Sequence, residues 1–296
     1  MTAVRNGPMN RLEDFNQYRS LLFAIAYRML GSVMDAEDMV QETFLRWQQV
    51  SEQAIKSTKA YLTAIITRLC IDHLRSARVQ REQYVGPWLP EPIVTEKSAD
   101  PIALAELSDS LAMAFLVLLE RLSPLERAVF LLREVFDYGY EEIGRMVEKS
   151  PANCRQIARR ARLHLAHEKS RFQTPPEQQE QLTQQFIQAF GQGDLTGLLN
   201  ILADDVTFWS DGGGKVTAAL KPLQGAQKVA GFLKALHRRA GKLGEVRQAE
   251  RVQINGQTGI LYSVAGEIDT VATLEVIDNR IQAIYFVRNP DKLQRC

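Results

Sequence analysis

The residues from Ser123 to Phe172 leave this chain least freedom. Ser123-Pro124-Leu125-Glu126 is a capping box with proline at the first helical position, which starts a helix. Leu125, Val129, Leu132 and Phe136 recur behind it at helical spacing. Gly139 breaks the chain, and a short helix follows through Glu141, Ile143 and Val147. Ser150-Pro151 caps and starts the next helix, expected to run to about Phe172. On that helix Cys154, Ile157, Ala158, Ala161 and Leu165 share one face. Gln156, Arg159 and Arg160 lie opposite, flanked by Arg155 and Arg162. Lys149, Arg155, Arg159, Arg160, Arg162, Lys169 and Arg171 face a single acid, Glu168. A merely solvated helix mixes signs. This pattern predicts a helix-turn-helix whose second helix enters a DNA major groove, with arginines on phosphate or guanine.

Composition limits how such binding works. Formal net charge is only +1 over 296 residues, so affinity for DNA has to come from local basic surfaces. The length suits about two domains, and 45% hydrophobic content can fill their cores. Cys70, Cys154 and Cys296 show neither pairing nor metal-ligand spacing, which fits a reducing cytosol. His164 and His167 share the basic helix but lack further ligands, so no metal and no cofactor is expected. No run is apolar enough to span a membrane, and the N-terminus has no signal-peptide core. The expectation is a soluble, cytoplasmic protein without a membrane partner.

Upstream, Leu12, Phe15, Leu22, Ala26 and Met29 form the apolar stripe of a helix that Gly31 ends. Asp35 is expected to cap the next helix, with Ala36, Val40, Phe44 and Trp47 buried. Its N-terminal surface is acidic, through Asp35, Glu37, Asp38 and Glu42, with Gln41 among them. A third helix from Lys59 through Arg78 turns Tyr61, Leu62, Ile65, Ile66 and Leu69 inward. It carries Arg68, Arg75 and Arg78, with Arg81 just beyond, against few acids. An acidic helix beside a basic one suggests a protein partner at one surface and nucleic acid at the other.

At this point the chain resembles a known family. GSVMDAEDMVQETFLRWQQV followed by KAYLTAIITRLCIDHLRSAR looks like domain two of the sigma-70-type initiation factors, and the Ser123 stretch looks like their domain four. The middle domain is missing, as in the extracytoplasmic-function group. The resemblance implies that Asp35, Asp38, Gln41, Glu42 and Phe44 bind the clamp of the largest RNA polymerase subunit. The flap region would be a further contact. Lys56, Lys59, Tyr61, Arg68, Arg75 and Arg78 would face the promoter −10 element, with the Ser51 to Thr58 loop holding a flipped base. Arg155, Gln156, Arg159, Arg160 and Arg162 would read the −35 element.

Glu82 to Ser108 reads as a linker carrying Trp88-Leu89-Pro90-Glu91-Pro92, and Asp100-Pro101 signals another helix start. Pro175-Pro176 marks a boundary. Beyond it come an amphipathic helix through Leu182, Phe186 and Phe190, a second helix ending near Ala203, and a strand at Val206 to Trp209. The Asp211-Gly212-Gly213-Gly214-Lys215 turn and a helix through Val229 and Leu233 follow. Four strand-like runs then close the chain, Gly244 to Ile254, Gly259 to Val264, Asp269 to Ile277 and Ile281 to Val287. That order predicts an α+β domain with a curved antiparallel sheet. It resembles the SnoaL-type, NTF2-like cone. WLPEP, DGGGK and NPDKL together resemble the hallmarks of one subgroup in which such a cone follows domain four. The triple glycine lacks the Lys-Ser/Thr ending of a phosphate-binding loop, and reads as a turn or a contact surface.

The expected chain is therefore multidomain. Two all-α domains, 10–82 and 109–172, are joined by a linker at 83–108 and followed by an α+β domain at 177–296. By resemblance it is a transcription initiation factor with no catalytic residues, needing no separate anti-sigma factor. Its cone would act in cis through contacts of Trp88, Pro90, Glu91 and Pro92 with Asp211, Gly212, Gly213, Gly214 and Lys215. Asn289, Pro290, Asp291, Lys292 and Leu293 complete that set. One alternative makes the cone a small-molecule sensor or an enzyme, with Trp209, Asp211, His237, Tyr262 and Tyr285 as pocket candidates. Another is a helix-turn-helix repressor with a ligand domain, against which the acidic helix argues.

Overall fold

The computed structural model describes residues 11–50, 55, 57–81, 84–95, 112–165, 174–244 and 246–296, residues 77–81 by their backbone alone. The chain divides into two compact units. One takes the residues up to Ser76 together with Leu122–Arg162, the other Ala77–Arg121 together with Leu163–Cys296.

The first unit is helical: α1 (Arg11–Leu30), α2 (Val33–Gln48), α3 (Thr58–Arg81), α5 (Pro124–Glu134), α6 (Tyr140–Val147) and α7 (Pro151–Leu165). Gly31 takes a φ of 69°, and Ser32 caps α2 by accepting from the Asp35 N–H at 3.2 Å. Asp35 thus lies in the first turn rather than at the cap, where it still complements the helix dipole. Phe15, Leu22, Ala26, Met29, Val40 and Trp47 are buried, but Leu12, expected in their stripe, is 54% exposed. The capping box opens α5 as expected, with Ser123 and Glu126 bonding reciprocally. Arg127 of α5 is buried and donates to the Met29 carbonyl at 2.6 Å, satisfying an orphan acceptor in the last turn of α1. Arg28 lies over the Phe136 ring at 5.6 Å, and burial lowers its pKa to about 10.

The second unit holds α4 (Met113–Leu119), α8 (Pro176–Gln192), α9 (Leu195–Ile201), α10 (Ala226–Lys242) and α11 (Pro290–Leu293). Its strands are β1 (Leu202–Asp211), β2 (Leu223–Gln224), β3 (Arg247–Ile254), β4 (Gln257–Val264), β5 (Glu267–Ile277) and β6 (Arg280–Val287). They form one sheet in the order β2-β1-β6-β5-β4-β3. The sheet is mixed where a fully antiparallel one was expected, because β1 pairs parallel to β6 across the whole crossover of α10 and four strands. Both faces are covered. Phe186, Phe190, Phe208, Tyr262, Leu274 and Phe286 fill the face under the helices. On the other face Leu89, Val94 and Met113 pack on Val271, Ala283, Tyr285 and Val287. The linker is therefore the second layer of this core, and this explains near-continuous burial along β5 and β6.

Candidate functional site

In the first unit an acidic and apolar surface lies across α1 and α2. Asp38 and Gln41 are exposed, and Asp35 is half-exposed at 3.6 Å from His73. Glu42 pairs with Arg46 at 2.8 Å. Phe44 stacks obliquely on Phe15, with ring centroids 4.9 Å apart. A groove lined by Leu12, Phe15, Val40, Gln41, Phe44 and Leu45 runs beside these groups. Leu45 escaped the sequence reading and Leu12 was expected to be covered, since position in a helical stripe does not reveal what covers it.

The basic side chains divide into exposed and engaged ones. On α7, Arg155, Gln156, Arg159 and Arg160 are exposed, opposite the buried Cys154, Ile157, Ala158, Ala161 and Leu165. Arg162 instead bonds Glu134 at 2.9 Å and the Tyr140 hydroxyl at 3.2 Å, and the Glu134 bond raises its pKa. Gly144 admits the turn between α6 and α7, for a Cβ there would lie 2.6 Å from the Lys149 carbonyl. On α3, Lys59 lies over the Tyr138 ring at 5.6 Å, Arg75 pairs with Asp72, and Tyr61 packs against Trp47. Arg68 caps the end of α6, donating to the Met146 and Arg145 carbonyls at 2.7 and 2.9 Å and pairing with Glu148 at 3.0 Å. Lys56, the Arg78 side chain, Ser51 to Ala54 and Ala166 to Phe172 lie outside the described residues.

In the second unit the linker, the glycine turn and the C-terminal helix meet at Asp211, which is fully buried. Its carboxylate accepts from the Tyr84 hydroxyl at 2.6 Å, the Leu89 N–H at 2.9 Å, the Gly213 N–H at 3.0 Å and the Lys292 ammonium at 2.7 Å. Lys292 also donates to the Leu89 carbonyl and lies 4.2 Å from the Trp88 ring centroid. Asn289 caps α11 and donates to the Tyr84 hydroxyl at 2.9 Å. Burial, with Asp211 as hydrogen-bond acceptor, pushes the Tyr84 phenol well above its ordinary value. The glycines have separate reasons. Gly213 and Gly214 take φ of 59° and 72°, a Cβ on Gly213 would fall 2.4 Å from Asn289, and one on Gly212 would fall 2.5 Å from the Val216 carbonyl. Lys215 pairs with Asp291 at the surface. Pro90, Glu91 and Pro92 are buried, while Ile93 exchanges backbone and side-chain hydrogen bonds with Asn255. Tyr84 and Asn255 were missed from sequence because their partners lie 127 and 162 residues away.

Two family models match the chain, Sigma-70 region 2 over residues 15–79 and Sigma-70, region 4 over residues 112–165. The ECF RNA polymerase sigma factor SigJ of Mycobacterium tuberculosis is 33% identical over 290 residues, covering 95% of this chain and 92% of that protein. This chain is an ECF sigma factor. The crystal structure of that SigJ superposes with a TM-score of 0.77 at 32% identity, over 96% of this chain and 98% of the other. The probable ECF sigma factor SigI of the same species is 36% identical over 187 residues, which is 62% of this chain and 64% of that protein. As a sigma factor, the chain serves transcription initiation and binds core polymerase and promoter DNA.

The pocket candidates of this sigma factor do not converge. Only Tyr262 faces the interior under the helices, edge-on to Phe190 at 5.7 Å. Trp209, Asp211 and Tyr285 belong to the linker-covered side. His237 sits against the Gly193 turn, 2.7 Å from where a Cβ would be. Strand alternation sorts residues between two faces but does not say which layer covers each. Among the described residues no cluster of metal-ligating side chains occurs, and no helix is long and apolar enough to cross a membrane.

Proposed function

We propose that this sigma factor docks on the polymerase clamp through the α1–α2 surface, engages the −10 element with α3 and reads the −35 element with α7. Exposed Asp38 and Gln41 beside an apolar groove suit a basic, amphipathic helical partner. The exposed row Arg155, Arg159 and Arg160 suits phosphate and guanine. Such a factor works in the cytoplasm, where polymerase and promoters are.

The C-terminal domain acts in cis on this activity, in place of a separate anti-sigma factor. The observation that carries the reading is the buried Asp211 carboxylate, which ties linker, glycine turn and α11 into one hydrogen-bonded junction. The level of activity is then set by the equilibrium between the docked and undocked linker. Catalysis in the domain is not part of this reading, since its candidate residues point to different faces. Transcription with purified core polymerase tests it. Truncation after Phe172 and Lys292→Met should each alter promoter-dependent output, and Asp38→Lys should abolish polymerase recruitment. Unchanged output from the truncated and Lys292→Met proteins would remove the case for control in cis.

A further inference from the structure

The linker-covered face of the sheet holds a feature that promoter recognition does not use. A cavity of about 190 Å³ lies at the end of β5 and β6, roofed by α4 and flanked by the start of α8. Its floor contains Thr273, a residue 6% exposed whose hydroxyl has no hydrogen-bond partner among the described residues. The strand register explains this isolation. Thr273 stands opposite Tyr285 on one side and Gly259 on the other, and Gly259 has no side chain to offer. A buried hydroxyl of this kind is costly unless something accepts from it or donates to it.

The remaining lining narrows what that something is. Gln257 brings an amide from the β3–β4 hairpin on the same face as Thr273, Gln253 and Thr258 bond one another at 3.5 Å, and the Tyr285 hydroxyl bonds the lining carboxylate of Glu275 at 3.4 Å. No lysine, arginine or histidine is among the described lining residues, so nothing there neutralises a carboxylate or phosphate. Met113 supplies an apolar wall from α4. Amides and hydroxyls around an apolar wall match a ring that is polar at its edge and apolar on its face. The volume suits a single substituted six-membered ring, given that a cavity of roughly 150 Å³ accepts benzene.

We propose that this cavity binds a small uncharged polyhydroxylated molecule, of the cyclitol or monosaccharide class, through Thr273 and Gln257. Because Met113 forms the roof, such a ligand also holds α4 against the sheet, four residues before the Ser123 cap. The inference concerns binding alone and stands apart from control of transcription in cis.

Saturation-transfer NMR on the full-length chain tests it, with myo-inositol and xylose as probes at low-millimolar concentration and cyclohexanecarboxylate as the anionic comparison. At least one polyol should show transfer and the anion none. Thr273→Val keeps the shape and should weaken binding about tenfold, the worth of one lost hydrogen bond at a desolvated site. Gln257→Ala, at the rim, repeats the test without touching the sheet interior. Tyr262→Phe, on the opposite face, should leave binding unchanged. Absence of transfer from both polyols, preference for the anion, equal binding by Thr273→Val and Gln257→Ala, or loss only in Tyr262→Phe would each overturn the assignment.

Discussion

Replacing Lys292 by methionine isolates the charge at the Asp211 junction while keeping most of the side-chain volume. The ammonium bonds Asp211 at 2.7 Å and the Leu89 carbonyl, and lies over the Trp88 and Tyr84 rings at 4.2 and 5.2 Å. The Lys292 side chain is 12% exposed and that of Asp211 is 0% exposed. Breaking a buried pair by removing one partner costs about 3–5 kcal/mol, because the other charge stays desolvated. Asp211 keeps three neutral donors from Tyr84, Leu89 and Gly213, so the lower end of about 3 kcal/mol is expected. That is on the order of a hundredfold in the equilibrium between docked and undocked linker.

Trp88 reports it. Its emission should shift to the red at lower urea in Lys292→Met than in wild type, read as the difference from a Trp88→Phe background. Asp211→Asn should cost less than Lys292→Met, since no unpaired anion remains. The double variant should recover much of the loss, giving a coupling energy of at least about 1 kcal/mol. A Lys292→Met transition within about 0.5 kcal/mol of wild type, or strictly additive variants, would refute the reasoning.

Other outcomes follow from the same geometry. Gly213→Ala should destabilise the second unit by more than about 1 kcal/mol in urea unfolding, because it adds a strained φ and a clash with Asn289. The Tyr84 phenol has a raised pKa, so its contribution to linker docking is complete below the ordinary value of 10.0 and declines as pH rises beyond it. Tyrosinate absorbance and Trp88 emission should therefore change together only in strong alkali. Arg68→Ala should cost the first unit about 1–2 kcal/mol and speed amide exchange at the end of α6. An Arg68 devoted to DNA alone would leave that exchange unchanged. Burial holds the Cys70 and Cys154 thiols above their ordinary value, so Ellman's reagent should label the native protein at Cys296 first and reach the other two only on unfolding.

Local chemistry made much of this protein legible before any coordinates. Caps at Ser123 and Ser150, the glycine at 139 and apolar stripes at helical spacing act within a few residues, so the helix-turn-helix and its exposed arginine row could be read directly. The same held for the helix start at Pro176 and for most strands of the C-terminal sheet, which differ from expectation only at their ends. Three features could not be read in this way. The parallel pairing of β1 with β6 joins segments that no turn connects. The outward placement of Trp209, Asp211 and Tyr285 depends on a linker that covers the second face of the sheet. The engagement of Arg68 depends on a helix end 77 residues downstream. Sequence pattern records which side chains share a face. Which layer covers that face, and whether a charge meets solvent, DNA or a buried carbonyl, is decided only when distant segments pack and desolvate one another.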